Sequence, residues 1–138
     1  IQKLEEGYDY VQGSRYMPGG LAINTPTIRH LAIKYIHVPI ITWTSGFNYT
    51  DSTNGNRAYS RELLLDQRIQ PFREIFAYYD FLVFISSVAP KLDLKVIEVP
   101  MTRKYPKGKT PTKISFLKGN LKILFSLFNV IFHRYHPK

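Results

Sequence analysis

The order of patterns along the chain predicts an α/β fold, a sheet with flanking helices that ends in a C-terminal amphipathic helix. Two observations carry this prediction. Short β-branched or aromatic runs alternate with stretches whose apolar residues recur at every third or fourth position, the order expected of a sheet covered by helices. The composition fits one packed domain rather than a disordered tail, since 44% of the 138 residues are hydrophobic against 21% charged.

The elements follow in order. Residues 8–16 read as a short strand that runs into Met17-Pro18-Gly19-Gly20, a loop in which two glycines permit positive φ. Asn24 or Thr25 can cap a helix that accepts Pro26 in its first turn, and the spacing of Ile28, Leu31, Ala32 and Tyr35 predicts that this helix packs on the sheet. Residues 38–47 are apolar but interrupted by Pro39 and Gly46, so they read as an irregular buried connection holding the only tryptophan, Trp43. Residues 51–60 form a polar turn entering a short strand, after which Ser60 caps a short helix through Leu65.

A longer helix is predicted over 71–88, stopping before Pro90, with Ile75, Phe76, Tyr79, Leu82, Val83 and Ser86 at helical spacing. Residues 94–99 read as a strand and 100–112 as a loop with three prolines and one glycine. Ser115 opens a last helix to about His133, whose apolar stripe and flanking cations suit either a packed core or a membrane interface. No internal repeat is present.

Charge is distributed unevenly. The net charge is +9, yet residues 1–94 hold nine basic and nine acidic groups, while residues 95–138 hold ten basic and one acidic. The absence of cysteine removes disulfides, thiolate metal sites and cysteine nucleophiles. The most apolar stretch, residues 121–132, is broken by Lys122, Ser126 and Asn129 and falls short of the roughly 20 residues of a membrane-spanning helix. Ile1 is not followed by a basic segment and an apolar run, so no signal peptide is expected, and the chain reads as one that begins within a longer protein.

Four places could carry chemistry. Gly13-Ser14-Arg15-Tyr16 puts a hydroxyl and a guanidinium at a strand's carboxyl end, where α/β sheets commonly bind ligands. The run Asp51-Ser52-Thr53-Asn54-Gly55-Asn56-Arg57 offers an acid, a base and several hydrogen-bonding groups, although a tight turn uses the same residues. Asp80 lies at the boundary of an apolar helix face, where it is either solvated or functional. Arg103, Lys104, Lys107, Lys109 and Lys113 follow a strand with no acid between them, which suits phosphate oxygens, an anionic membrane, or simply solvent. No helix-turn-helix, paired aromatic RNA-binding motif or zinc site supports nucleic acid as the partner.

Taken in order, these segments resemble the C-terminal half of a family 2 glycosyltransferase of the GT-A fold, in the bacterial and dolichyl-phosphate-mannose-synthase-like branch. The resemblance rests on residues 9–16 with Gly19-Gly20, on residues 51–59, on Tyr79-Asp80-Phe81, and on residues 96–100 with the basic loop that ends in Lys107-Gly108-Lys109. It implies a partial, Rossmann-like GT-A sheet over residues 1–114, the acceptor-side half, with residues 115–138 as an interfacial helix. It also implies inverting transfer from a nucleotide-sugar donor to a lipid-phosphate or cell-envelope glycan acceptor, peripheral to the cytoplasmic side of a membrane, in polysaccharide biosynthesis.

In that picture Arg15 and Ser14 lie near donor or acceptor phosphates, and Asn54 and Arg57 shape the sugar and acceptor pocket. Arg103, Lys104, Lys107 and Lys109 clamp phosphate, and Asp51 and Asp80 are the acids available for catalysis. A divalent cation, Mg or Mn, is implied, but no Asp-x-Asp triplet occurs, so its ligands are expected outside these residues. Two further positions depart from the family pattern: Asn56 where an aromatic is usual, and Phe84 where many relatives carry a glutamate. The chain alone is therefore expected to be inactive and to need its nucleotide-binding half or self-association to cover an exposed sheet edge. A non-catalytic basic module for anionic lipid or nucleic acid is the alternative.

Overall fold

The structure, a computed structural model, describes residues 1–77, 79–107, 116–132, 134 and 135. Lys109, Lys113 and Ser115 lie outside the described residues. The elements are α1 (Gln2–Glu5), β1 (Tyr10–Ser14), β2 (Leu21–Ile23), α2 (Thr27–Ala32), a π-helical turn (Ile33–His37), α3 (Val38–Ser45), β3 (Arg57–Tyr59), α4 (Arg61–Leu65), α5 (Asp80–Val88), β4 (Val96–Pro100), β5 (Thr102–Lys104) and α6 (Phe116–Ile131). This is the expected mixed α/β arrangement of a small sheet with flanking helices.

The centre of the fold is β1, buried along its whole length. It pairs antiparallel with β3 and parallel with β4, in the order β3-β1-β4. Its sequence, Tyr-Val-Gln-Gly-Ser, is not a hydrophobic run, so each polar group needs a partner. Gln12 donates from Nε2 to the carbonyls of Gly13 (3.0 Å) and Asn54 (3.1 Å), and accepts from the Tyr10 hydroxyl at 2.6 Å. Gly13 is required by close approach: a Cβ there would lie 2.8 Å from Met101 Sδ and 2.9 Å from the Asn56 carbonyl. On one side of the sheet α5 contributes Phe84 and Ile85, both fully buried, and α6 closes over it with Leu127 and Val130. Ser60 caps α4 as expected, its Oγ accepting from the Leu63 amide at 3.0 Å.

Five expectations are corrected. Residues 38–45 are helical rather than irregular, continuing α2 through the π turn, and Trp43 is 76% exposed rather than buried. Pro39 removes one N–H from the ladder directly after the π turn, where the bonding is already shifted because the Val38 amide donates to the Ile33 carbonyl, and the helix runs on past it; Gly46, at φ 75°, ends the helix. The same helix does not bury Ile28, Leu31 and Tyr35 against the sheet. These are 59%, 46% and 65% exposed, while Ile33, His37 and Ile41, with Thr44 and Ser45, are buried. Apolar residues on all sides gave the periodicity two solutions, and packing selected the other one. Nor does Asn24 or Thr25 cap α2; Asn24 takes a left-handed conformation (φ 56°) and donates to the Tyr105 carbonyl instead.

The long helix expected over 71–88 begins only at Asp80. Ahead of it Gln70 is left-handed and Arg73 bonds the carbonyls of Ile69 and Gln70, so the chain folds into turns there. Lastly, the stretch read as loop after Pro100 contains β5, which runs parallel to β2 with Leu21 opposite Thr102 and Ile23 opposite Lys104. Among the described residues no helix is long and apolar enough to cross a membrane.

Candidate functional site

The parallel strands β1 and β4 end together at Ser14 and Pro100, and the chain beyond each end supplies the polar cluster. Arg15, 4% exposed, meets the fully buried Asp51 through two parallel bonds, Nε to Oδ2 at 2.6 Å and Nη2 to Oδ1 at 2.9 Å. The Arg15 amide also donates to Asp51 Oδ2 at 3.2 Å. Such a planar fork fixes the guanidinium far better than a single contact. Burial works against the Arg15 charge, but the bonds and the charge of Asp51 outweigh it and its pKa is raised. The remaining Arg15 donors reach Thr53 Oγ1 (3.1 Å) from Nη2 and the Tyr105 hydroxyl (3.2 Å) from Nη1.

Tyr105 is the point of convergence. The β2–β5 pair places it, because its amide donates to the Ile23 carbonyl at 2.9 Å and its own carbonyl accepts from Asn24 at 3.0 Å. Arg29 of α2 donates to the Tyr105 hydroxyl at 3.4 Å, and Arg103 of β5 lies 5.4 Å from its ring centroid, a cation–π distance. Three guanidiniums, Arg15, Arg29 and Arg103, therefore surround one phenol. Among the described residues neither Arg29 nor Arg103 has a carboxylate partner. Lys104 and Lys107 are exposed on the same segment.

Glu98 of β4 holds the acid in place from behind. Its carboxylate accepts from the Thr50 amide (2.8 Å), the Thr50 hydroxyl (2.7 Å) and the Asp51 amide (3.0 Å). Burial pushes its pKa up, against the lowering effect of those bonds. Ser14 completes the support with its Oγ 2.5 Å from Thr50 Oγ1.

The other expected residues face elsewhere. Arg57 is turned inward, donating to the carbonyls of Asn54 (3.0 Å), Leu82 (2.6 Å) and Ser52 (2.7 Å) and to Ser86 Oγ (3.1 Å). Asn54 is buried, its Oδ1 accepting from the Asn56 amide at 3.1 Å and its Nδ2 against the Met101 sulfur. Asp80 lies at the α5–α6 joint, where Oδ1 accepts from the Tyr135 hydroxyl at 2.7 Å and from Ser126. The cluster thus unites Arg15, Ser14, Asp51 and Arg103 and leaves Asn54, Arg57 and Asp80 outside it.

Sequence reading missed Arg29, Tyr105 and Glu98. The available signals were an aromatic interleaved with cations at 103–107 and the fact that Glu98 is the one acid after residue 94. The donor set does not fit a divalent cation: both Asp51 oxygens are taken by Arg15, and among the described residues no group of three or more acids or histidines could hold one.

No family model matches the chain. A curated protein of Micrococcus luteus named undecaprenyl-phosphate mannosyltransferase is 31% identical over 102 residues, which covers 68% of this chain and 37% of that protein. The chain thus spans little more than a third of the relative's length. In sequence, the chain is distantly similar to a glycosyltransferase.

Proposed function

We propose that this chain is the acceptor-side part of a GT-A glycosyltransferase of family 2, which moves a sugar with inversion from a nucleotide-sugar donor to a phosphate-bearing, lipid-linked or cell-envelope acceptor. The observation that carries the reading is the convergence of Arg15, Arg29 and Arg103 on Tyr105 with a single carboxylate, Asp51, already committed to Arg15. An anion is what such a cluster lacks. A phosphate in contact with the Tyr105 hydroxyl would receive hydrogen bonds from the Arg15 and Arg29 Nη1 atoms, with Arg103, Lys104 and Lys107 adding charge from β5 and its extension. Lys109 would extend the same basic segment.

In this reading Asp51 is a positioning residue. It keeps the Arg15 guanidinium in one plane, so that the edge facing Tyr105 is fixed before a ligand arrives. Asp80 would hold α6 against α5, and Asn54 and Arg57 would shape the loop that carries Asp51. An ionised phosphate acceptor needs no strong base, which accommodates a site whose acids are engaged by the protein itself. Fixed cations aimed at phosphate oxygens lower the barrier electrostatically, without proton transfer. The nucleotide-binding half and the implied Mg or Mn ligands would be supplied from outside these residues.

The test is calorimetric titration with inorganic pyrophosphate and with a short-chain prenyl phosphate, on the wild type and on Arg29→Ala. We expect binding of both, weakened about tenfold or more by the substitution, as loss of a charge-assisted contact implies. Equal affinity in the variant overturns the site, and full sugar transfer by these residues alone overturns the assignment of the donor half elsewhere. Salt-sensitive binding to nucleic acid, stronger than to either phosphate, would favour the non-catalytic module.

A further inference from the structure

The chain leaves β2 through a residue whose backbone and side chain do separate work. Asn24 has φ 56°, a left-handed conformation that disfavours any side chain and that asparagine tolerates better than most. It does not cap α2, which starts at Thr27 with Pro26 in the N-cap place and no side-chain cap bond. Burial does not hold it either, because Asn24 is exposed. Its side chain instead donates from Nδ2 to the Tyr105 carbonyl at 3.0 Å, across 81 positions of sequence.

The need for that bond follows from how Tyr105 is carried. β2 and β5 form a parallel pair of three residues each, and all of β5 is exposed. A two-stranded pair is marginal in water, so its placement rests on the hydrogen bonds at its ends. At the near end the Leu21 amide donates to the Met101 carbonyl (3.0 Å) and the Met101 amide to the Ser14 carbonyl (2.9 Å), which ties the pair to β1. At the far end the Tyr105 amide donates to the Ile23 carbonyl (2.9 Å), and Asn24 returns a donor to the Tyr105 carbonyl. The same residue sets the corner from β2 into α2, whose first turn carries the Arg29 that donates to the Tyr105 hydroxyl at 3.4 Å. Asn24 therefore acts on both carriers of the cationic cluster: its backbone directs α2 with Arg29, and its side chain holds the segment with Arg103 and Tyr105.

We propose that Asn24 is a positioning residue that clasps the Tyr105 segment to the corner between β2 and α2, so that Arg29 and Arg103 meet one phenol before an anion arrives. The proposal rests on the proposed phosphate site and adds the residue that fixes its geometry. Two substitutions separate donor from backbone. Asn24→Gly keeps the left-handed conformation without steric cost and removes the side-chain donor, whereas Asn24→Ala removes the donor and adds the steric cost. The wild type and both variants are compared by urea unfolding, by calorimetric titration with inorganic pyrophosphate, and by hydrogen exchange of residues 101–107 read by mass spectrometry.

In Asn24→Gly, relief of backbone strain opposes the greater freedom of glycine in the unfolded chain, so the urea midpoint should stay near the wild-type value. Pyrophosphate affinity should nonetheless fall about fivefold, the effect of one neutral hydrogen bond, and exchange across 101–107 should quicken. Asn24→Ala should lose the same affinity with a lowered midpoint. A merely structural role would move affinity and midpoint together in both variants. Wild-type affinity in Asn24→Gly overturns the proposal, as does a loss of affinity there that is matched by a loss of midpoint, or unchanged exchange across 101–107. Exchange is measured without ligand and judges the clasp by itself: a wild type that ignores pyrophosphate overturns the phosphate site, while faster exchange in Asn24→Gly still upholds the clasp.

Discussion

Arg15 and Arg57 are held by opposite ends of the same loop, residues 51–57, and they differ in what holds them. Arg57 uses its donors on three backbone carbonyls and a serine hydroxyl, and lies 5.8 Å from the centroid of the Tyr10 ring. Every one of these partners belongs to the packed interior of the fold. Arg15 instead gives one edge to a carboxylate and keeps Nη1 pointed at a phenol that a second arginine shares. The comparison teaches that exposure alone does not mark a binding arginine. A cation fixed from behind by an acid is rigid and still offers donors in front, whereas one wrapped in carbonyls is a strut.

The largest effect should come from breaking the Arg15 end. Arg15→Met strands the fully buried Asp51 without its partner, and removing one member of a buried ion pair typically costs about 3–5 kcal/mol. Urea unfolding should show that loss in the midpoint, and titration of the folded protein should show pyrophosphate binding gone as well. Arg57→Met is expected to come second, at roughly 2–4 kcal/mol, because three carbonyls lose a charged donor together. Anion affinity, however, should survive in the folded fraction. If Arg57→Met abolishes pyrophosphate binding while stability is little changed, the contrast between strut and site is wrong.

What the sequence revealed follows the same division between local and distant causes. β1, β4, the Ser60 cap and α6 were legible because each depends on neighbours within a turn or a strand. Arg15 was legible as a residue at a strand end, and Arg103 as part of a basic run. The convergence on Tyr105 was not, since Arg29 and Tyr105 are 76 positions apart and meet only through the three-residue strands β2 and β5. Strands that short carry no readable alternation. α3 was missed because Pro39 reads as a breaker, although the helix runs through it after the π turn, and the inward face of α2 because apolar side chains surround the helix. The turns before Asp80 were missed because Arg73, a side chain, supplies the donors that a helical backbone would have supplied.

A third substitution sharpens the comparison from the ligand's side. Arg29 has no carboxylate partner among the described residues and touches Tyr105 through one bond of 3.4 Å and its ring at 5.8 Å. Arg29→Ala should therefore leave the urea midpoint within about 0.5 kcal/mol of the wild type, as surface substitutions away from special features do. Its whole effect should appear in the pyrophosphate affinity. A loss of stability comparable to that of Arg57→Met would make Arg29 another strut.

The smallest effect concerns pH and the support behind Asp51. Burial raises the Glu98 pKa above its ordinary 4.5, with the nearby Asp51 charge in the same direction and the bonds from Thr50 and Asp51 opposing. A carboxyl whose pKa is raised on folding binds its proton more tightly in the folded state. Its contribution to stability is therefore fully present below the unfolded value and is lost as pH rises through the folded one. The wild type should show this decline in the interval just above pH 4.5, superposed on the titration of its other acids. Glu98→Gln, which cannot titrate, should lack the decline, and subtracting the two urea-midpoint profiles isolates it. A difference profile that rises with pH across that interval would mean that the three hydrogen bonds dominate burial, and Glu98 would then be an ionised clamp rather than a strained one.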